Sequence, residues 1–450
     1  MTIQVSPGQL AKSKATTQRE VYLAALLNQR SEFDRQNLSA DLGDWLQDLR
    51  DRASVRLQDL AIPSPKDEEW RFTDLSSLLQ VSFQAATAAL SAEALAGFNA
   101  VLPETAESCL VFVNGRYMPS LSSTAGLPQS VTVGNVGQLE EPYAARLRHY
   151  LAQQPGSEEV FTTLNTASMT DAAVIWVPKN QVVETPIQLL FISAGETATL
   201  SHPRCLVVAE PNSQVTFIED YVTGDRGYFT NAVTEIWIEE NAQVNHTRVQ
   251  RDRSNAFHIG KTAVSQARHA RYIGTTISMG GKVSRHNLEI FQLGEQTETT
   301  LNSLTMIAGE QLSDTHSTIA YSSPYGTSRQ LHKCIVDDQA HAVFNGKVVV
   351  PQAAQLTDAG QLNRNLLISP KARVDAKPQL EIVADNVKCT HGATVGQLDA
   401  DEVFYLQSRG IDADSARKLL IYAFAFEIIE QVPIASLQQA LSQSISPPTS

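Results

Sequence analysis

The sequence predicts a mainly β protein with helices at both ends. Three observations predict it. Strand pattern runs from about 171 to 395 with little helix between. The first hundred residues and the last fifty carry helical spacing instead. Similar polar corners also recur through the β region at a loose period. The expected organisation is a helical domain over 1–105, a β core over 106–395 with a helical insert at about 137–153, and a helical domain over 396–450.

At the N-terminal end, Arg19 to Phe33 places Val21, Leu23, Leu26 and Leu27 at helical spacing. Leu42 to Leu60 continues with Leu42, Trp45, Leu46, Leu49 and Val55. Pro63-Ser64-Pro65 breaks that pattern, and Lys-Asp-Glu-Glu-Trp-Arg-Phe-Thr-Asp-Leu follows at 66–75. An alanine-rich helical stretch is expected over about 84–98.

The β character begins with Cys109 to Gly115, a strand turned at Asn114-Gly115. The clearest later strands are 174–177, 187–192, 205–208, 215–218 and 236–238. Glu-Pro-Asn-Ser-Gln-Val at 210–215 is echoed by Glu-Glu-Asn-Ala-Gln-Val at 239–244, so Asn212 and Asn241 stand 29 residues apart. Gly309 and Asp338 are also 29 apart. Gly281, Gly294 and Gly309 are spaced by 13 and 15, about half of that, and a further corner falls near Pro370. A loose repeat of this kind suits a solenoid whose coils stack. On period alone, a large β-sandwich or barrel fits as well.

The tail returns to helix. Ala400 to Ser408 is closed by Gly410, and Asp412 or Asp414 caps a longer helix, Ser415 to Gln431, stopped at Pro433. Its centre, Leu419 to Phe426, is apolar nearly all round, which predicts burial on more than one side and contact with another protein.

Composition narrows the function classes. A net charge of −13 disfavours a nucleic-acid partner. Four cysteines in 450 residues, without a CxxC, exclude a disulfide framework and fit a reducing compartment. The first thirty residues hold no apolar core of signal-peptide length, and the run Leu419–Phe426 is too short to span a bilayer. The expected location is the cytoplasm, or a plastid stroma if the source is photosynthetic. No membrane or nucleic-acid role is expected.

Familiar catalytic motifs are missing. Gly-Thr-Thr-Ile-Ser-Met-Gly-Gly-Lys-Val-Ser at 274–284 lacks the spacing of a phosphate loop, and there is no GxGxxG, GxSxG or HExxH. What remains is Lys-Cys-Thr-His-Gly-Ala-Thr-Val-Gly-Gln-Leu-Asp at 388–399. Side chains at i and i+2 of a strand leave the same face, so Cys389 and His391 present two soft metal ligands together. Two ligands do not close a site, so any others must come from elsewhere in the fold or from a second chain. His332 and Cys334 repeat the spacing, with His341 close behind. His246, His258, His269, His286 and His316 show no ligand spacing and are read as structural.

The stretch at 388–399, with Phe-Tyr-Leu-Gln-Ser-Arg-Gly-Ile at 404–411 and the motif at 66–75, resembles the SufB/SufD family of iron–sulfur cluster assembly proteins over essentially the whole chain. The few cysteines and the Gly-Ala-Thr run after His391 resemble its SufD branch more than its SufB branch. The resemblance implies a right-handed parallel β-helix core with N-terminal and C-terminal helical domains. It implies a non-catalytic scaffold, with no cofactor tightly bound to the isolated chain. The implied partners are SufB, paired through the β-helix, and the SufC ATPase, docked on the C-terminal helices, with homodimers possible in isolation. Phe404, Leu419, Leu420, Phe424 and Phe426 become the candidate SufC anchors. His391 and Cys389 become candidate ligands of a transient iron–sulfur cluster shared with SufB. Two other classes fit a β-helix: an enzyme acting on polysaccharide, and a stand-alone metal-binding module.

Overall fold

The computed structural model describes residues 18–33, 38–85, 98, 100–195, 197–224 and 227–445. Its centre is a parallel β-solenoid of about eight turns. Each coil gives one strand to each of two sheets. In the first sheet, Ala173–Val177, Arg204–Ala209, Tyr228–Ile238, Phe257–Gln266, Val283–Gln292, Leu312–Tyr321, His341–Val350 and Arg373–Ile382 lie side by side in that order. In the second, the order is Cys109–Val113, Ile187–Ser193, Gln214–Thr223, Gln243–Asp252, Arg271–Gly280, Glu298–Ile307, Thr327–Val336, Asp358–Leu367 and Lys388–Gly396. Chain neighbours thus fall in opposite sheets, and each strand pairs with the one a full coil later. This removes the sandwich and the barrel.

The corners explain the sequence period. Asn180, Asn212, Asn241, His269, Gln296, Tyr325 and Leu356 all have left-handed φ, between 54° and 63°. Each donates its backbone N–H to a corner carbonyl of the next coil, from Asn180 to Pro211 through to Leu356 and Asn386. Asn tolerates this conformation because its short side chain bonds locally. Here the side chains also form a ladder, Asn241 to Asn212 and Asn212 to Asn180, both at 2.9 Å. Gly281, Gly309 and Asp338, also at positive φ, mark the opposite corner. The spacings of 13 and 15 are steps from one corner column to the other and back. Gly280 and Gly281 make such a corner between two strands, so the stretch at 274–284 is no phosphate loop.

One end of the solenoid is capped. Antiparallel strands Arg116–Tyr117 and Thr132–Asn135 close the two sheets there, the first through the Asn114-Gly115 turn. The helical insert (Tyr143–Arg146, with 3₁₀ turns Val136–Gln138 and Leu147–His149) packs beside them. At the other end, Arg373–Ile382 and Lys388–Gly396 are the last strands, and among the described residues nothing pairs with their outer edges.

Both outer faces are covered. On the first sheet lie residues 18–27 as helix, Ala40–Arg56, Val160–Ser168 and the segment 66–83, with Leu23, Leu26, Trp70, Leu75, Leu78 and Phe161 packed on Phe229, Phe257, Ile259 and Val283. On the second lie Ala413–Ile429 and Ala435–Ile445, with Ala425, Ile428, Ile429 and Leu437 on Ile218, Val249, Ile277, Leu304 and Ile335. The last helix, Ala435–Ile445, was not legible, because Pro433 reads as a terminus. The alanine-rich stretch at 84–98 lies outside the described residues except for Gln84–Ala85, which pairs as strand with Thr199–Leu200, and residue 98.

The motif at 66–75 is a clasp. Trp70 lies under the Arg285 guanidinium, 3.9 Å from ring centre to Cζ, and Arg285 donates 2.7 Å to the Glu69 carbonyl and 2.6 Å to Asp314. Thr73 donates to the same Asp314 carboxylate, and His316 stands between Asp314 and Glu69 at 3.1 and 3.3 Å. Burial opposes the charge on Asp314, yet Arg285 and His316 outweigh it and hold the acid down at about 2. For His316, burial is also outweighed, by Asp314 and Glu69, and its basicity rises.

Two outcomes follow. Trp70→Ala should cost about 3–5 kcal/mol in urea denaturation, as for a large buried aromatic. The clasp should be strongest between the ordinary Asp and His ranges. The Asp314 contribution is complete above about pH 4 and is lost as pH falls towards 2, whereas the His316 contribution is complete below about 6.5 and is lost as pH rises through its raised value. Stability of Asp314→Asn against pH should lose the acid-side slope seen in the parent protein.

Candidate functional site

Cys389 and His391 lie on Lys388–Gly396, the last strand of the second sheet. Register places Cys389 against Ala359, a residue of the solenoid core, and His391 against Gln361. Both side chains therefore stand at core-facing positions of a coil that has no further coil beyond it. Cys389 is half-buried and packs on the core, while His391 is exposed. Lys388 and Thr390 occupy the alternate, outward positions. The strand delivers two donors to the rim of the solenoid and leaves them open on one side.

Electrostatics separates the pair. Burial pushes the Cys389 thiol above its ordinary range; a hydrogen bond with the Ala359 backbone opposes this, and the nearby Asp358 carboxylate adds to it. In the chain by itself Cys389 is a neutral thiol at pH 7. His391 is the donor in the open.

One residue that sequence reasoning missed stands directly behind the pair. Gln361 is buried, one strand spacing (about 4.8 Å) from His391 in register. Neither its Nε2 nor its Oε1 has a hydrogen-bond partner. An orphaned buried amide costs about 1–3 kcal/mol, and this one sits where His391, or a group bound to it, can supply the missing bond. No sequence signal marks it, because it is a mid-strand Gln without a motif.

His332 and Cys334 do not join the site. They project into the solenoid interior, in register with Asn363 and Asn365 and then with Ala393 and Val395, not with His391 and Cys389. Burial takes the His332 imidazole down to about 3 and the Cys334 thiol up to about 12. His341 pairs with Asp375 at 2.7 Å on the other sheet. The structural histidines are as expected. His246 stacks on Phe217 at 4.4 Å, within hydrogen-bond distance of Tyr272 and Glu219. His258 is held by Asp252 and Arg248, and His286 by Thr262. His269 is a corner residue and His316 belongs to the clasp. Among the described residues no three His, Cys, Asp or Glu side chains gather with metal-binding geometry.

The C-terminal helices begin at Ala400, four residues after the strand that carries His391 ends. Asp399 caps Ala400–Ser408 by accepting from Asp401, Asp412 caps Ala413–Ile429 by accepting from Ser415, and Gly410 turns between them with φ of 87°. Phe404 is 70% exposed and Leu419 46% exposed, with Tyr405 open beside them. Leu420 is half-buried. Phe424 and Phe426 face the solenoid, where Phe424 covers the buried ammonium of Lys333 at 4.3 Å. Lys333 donates 2.8 Å to the Phe424 carbonyl and pairs with Glu427, which fixes this helix to the coil two before the edge. The exposed apolar side chains are thus Phe404 and Tyr405 on the first helix and Leu419 on the second.

Comparison with known proteins agrees along the length of the chain. The SufBD core domain of the SUF iron–sulfur cluster assembly system matches residues 191–424, and the SufBD N-terminal region matches 23–189. An iron–sulfur cluster assembly SufBD family protein of Synechocystis is 50% identical over 88% of this chain and 90% of its own. The chloroplastic protein ABCI7 of Arabidopsis thaliana is 37% identical over 86% of this chain and 83% of its own. The iron–sulfur cluster assembly protein SufD of Escherichia coli is 34% identical over 86% and 90%.

Thiol alkylation of the native chain, followed by mass spectrometry, should modify Cys389 first and leave the buried Cys109, Cys205 and Cys334 untouched. The Cys389 rate should inflect at a pH above that of a free cysteine, because only the thiolate reacts.

Proposed function

The chain belongs to the SufBD family of iron–sulfur cluster assembly proteins, and we propose that it is the SufD-type scaffold subunit of a SufB–SufC–SufD assembly. It does not itself turn over substrate. The observation that carries the reading is the open end of the solenoid: among the described residues, two edge strands are unpaired on their outer side, and His391 is exposed at a core-facing position on one of them. A second solenoid that continues the sheets satisfies the edge and faces its own side chains towards His391.

The nascent cluster is cargo at that junction. His391 supplies one imidazole nitrogen, and a thiolate of SufB supplies another donor. Cys389, held protonated by burial, enters only when iron displaces its proton. On docking, the Gln361 amide, unpaired in the isolated chain and one strand behind in register, bonds the imidazole and orients it. A site divided between two chains is completed by docking and opened by separation, which suits a cluster that must be passed on. Energy comes from SufC, which docks on the exposed apolar side of the C-terminal hairpin at Phe404, Leu419 and Leu420, while Phe424 and Phe426 hold the helix against the solenoid. The working compartment is the cytoplasm or a plastid stroma. No described helix is long and apolar enough to cross a membrane.

Three measurements test this. His391→Ala should leave the circular dichroism spectrum and SufB binding intact, yet abolish cluster maturation in cells that depend on this chain; normal maturation removes His391 from the mechanism. Phe404→Ala with Leu419→Ala should weaken SufC capture at least 10-fold, about 1.4 kcal/mol or more, while SufB still co-purifies. The purified chain alone should show no ATPase activity.

A further inference from the structure

The left-handed corner column changes character along the solenoid. Near the capped end its residues are Asn180, Asn212 and Asn241, which suit the conformation and bond to one another. In the last two coils before the edge the same position is held by Tyr325 at φ 63° and Leu356 at φ 58°. For a bulky residue this region is an outlier that the surrounding structure must enforce. Neither is there to fill the core. Tyr325 is 50% exposed and Leu356 43%, and Val383, at the same corner of the edge coil, is 65% exposed. Two bulky apolar side chains thus hold a conformation they disfavour and remain in solvent.

We propose that Tyr325, Leu356 and Val383 form a docking ridge for the second solenoid that covers the open edge. This rests on the pairing described above and extends it. Continuity identifies the occupant. The corner ladder runs from Tyr325 to the Gln355 carbonyl and from Leu356 to that of Asn386, and there it stops, at the coil whose strands lack neighbours. Successive coils are one strand spacing apart, so Tyr325 lies about 10 Å behind the edge. A partner that continues the sheets and folds any loop back over this corner reaches all three side chains. The three side chains are apolar, and the one carboxylate in their corner loop, Asp385, is engaged by Gln352 at 3.0 Å, so the ridge itself selects by shape and apolar contact, which salt hardly affects. It makes the partner surface larger than the edge strands, and it gives the edge a means of choosing its partner that backbone hydrogen bonds alone cannot provide.

The test is a pair of signs. Tyr325→Asn with Leu356→Asn in the full chain relieves the corner strain and removes the ridge. The variant should melt at a higher temperature than the parent by itself, and should bind purified SufB at least 10-fold more weakly, with the loss persisting at high salt. If the parent binds SufB and the variant binds equally, the ridge is not a docking surface and the edge pairing stands without it. A variant that melts lower also overturns the proposal, because the side chains are then serving the fold. If the parent itself does not bind SufB, the pairing reading fails and the ridge fails with it.

Discussion

A parallel solenoid cannot finish itself. Along each strand, alternate backbone N–H and C=O groups look to the next coil for their partners, and the last coil has no next coil. In this chain the beginning is closed by two antiparallel strands and a helical insert, while Arg373–Ile382 and Lys388–Gly396 end unpaired. Exposed edges of nine and ten residues invite another chain. The location of the Cys389–His391 pair, the short step from the pair to the C-terminal hairpin and the apolar corner at 325, 356 and 383 all take their meaning from that open edge.

The rest of the molecule removes alternatives to it. One outer face is sealed by the N-terminal segment through the Trp70–Arg285–Asp314 clasp, and the other by the C-terminal helices through Ala425, Ile428 and the Lys333–Glu427 pair. The buried ion pairs are weak sources of stability, since desolvation offsets most of their attraction. Their value is orientation: Arg285 is satisfied only when Glu69, Asp314 and Trp70 are all in place, so the segment docks in one way. With both faces covered and one end capped, the two edge strands are the extended surface of unpaired backbone among the described residues.

Much of this was legible in the sequence, for identifiable reasons. The Asn corners at 212 and 241 announced a coil length because Asn is favoured at left-handed φ. Tyr325 and Leu356 occupy the same position and carried no signal, because nothing in their chemistry asks for it. Cys389 and His391 were found by alternation, and alternation also suggested His332 and Cys334. Only register separates them, by showing the second pair sealed in the interior on different rows. Gly410 marked the end of the helix at 400–408, and Asp412 or Asp414 marked the start of the next, expected over 415–431 and found over 413–429, whereas Ala435–Ile445 follows a proline that reads as an end. Among the five apolar anchors, sequence could not tell the outward Leu419 from the inward Phe424 and Phe426, since their helix is apolar nearly all round and only packing chooses its faces. Gln361 was invisible because its interest lies in what it lacks.

The central claim is that a second solenoid completes this one at the strand bearing His391. Amide hydrogen exchange on the chain alone and in complex with SufB measures it most directly. The account predicts that 388–396 and 373–382 exchange quickly in the isolated chain when it is held monomeric and become strongly protected when SufB is bound, while strands of the inner coils hardly change. Exchange in both edge strands that stays the same on complex formation would contradict it.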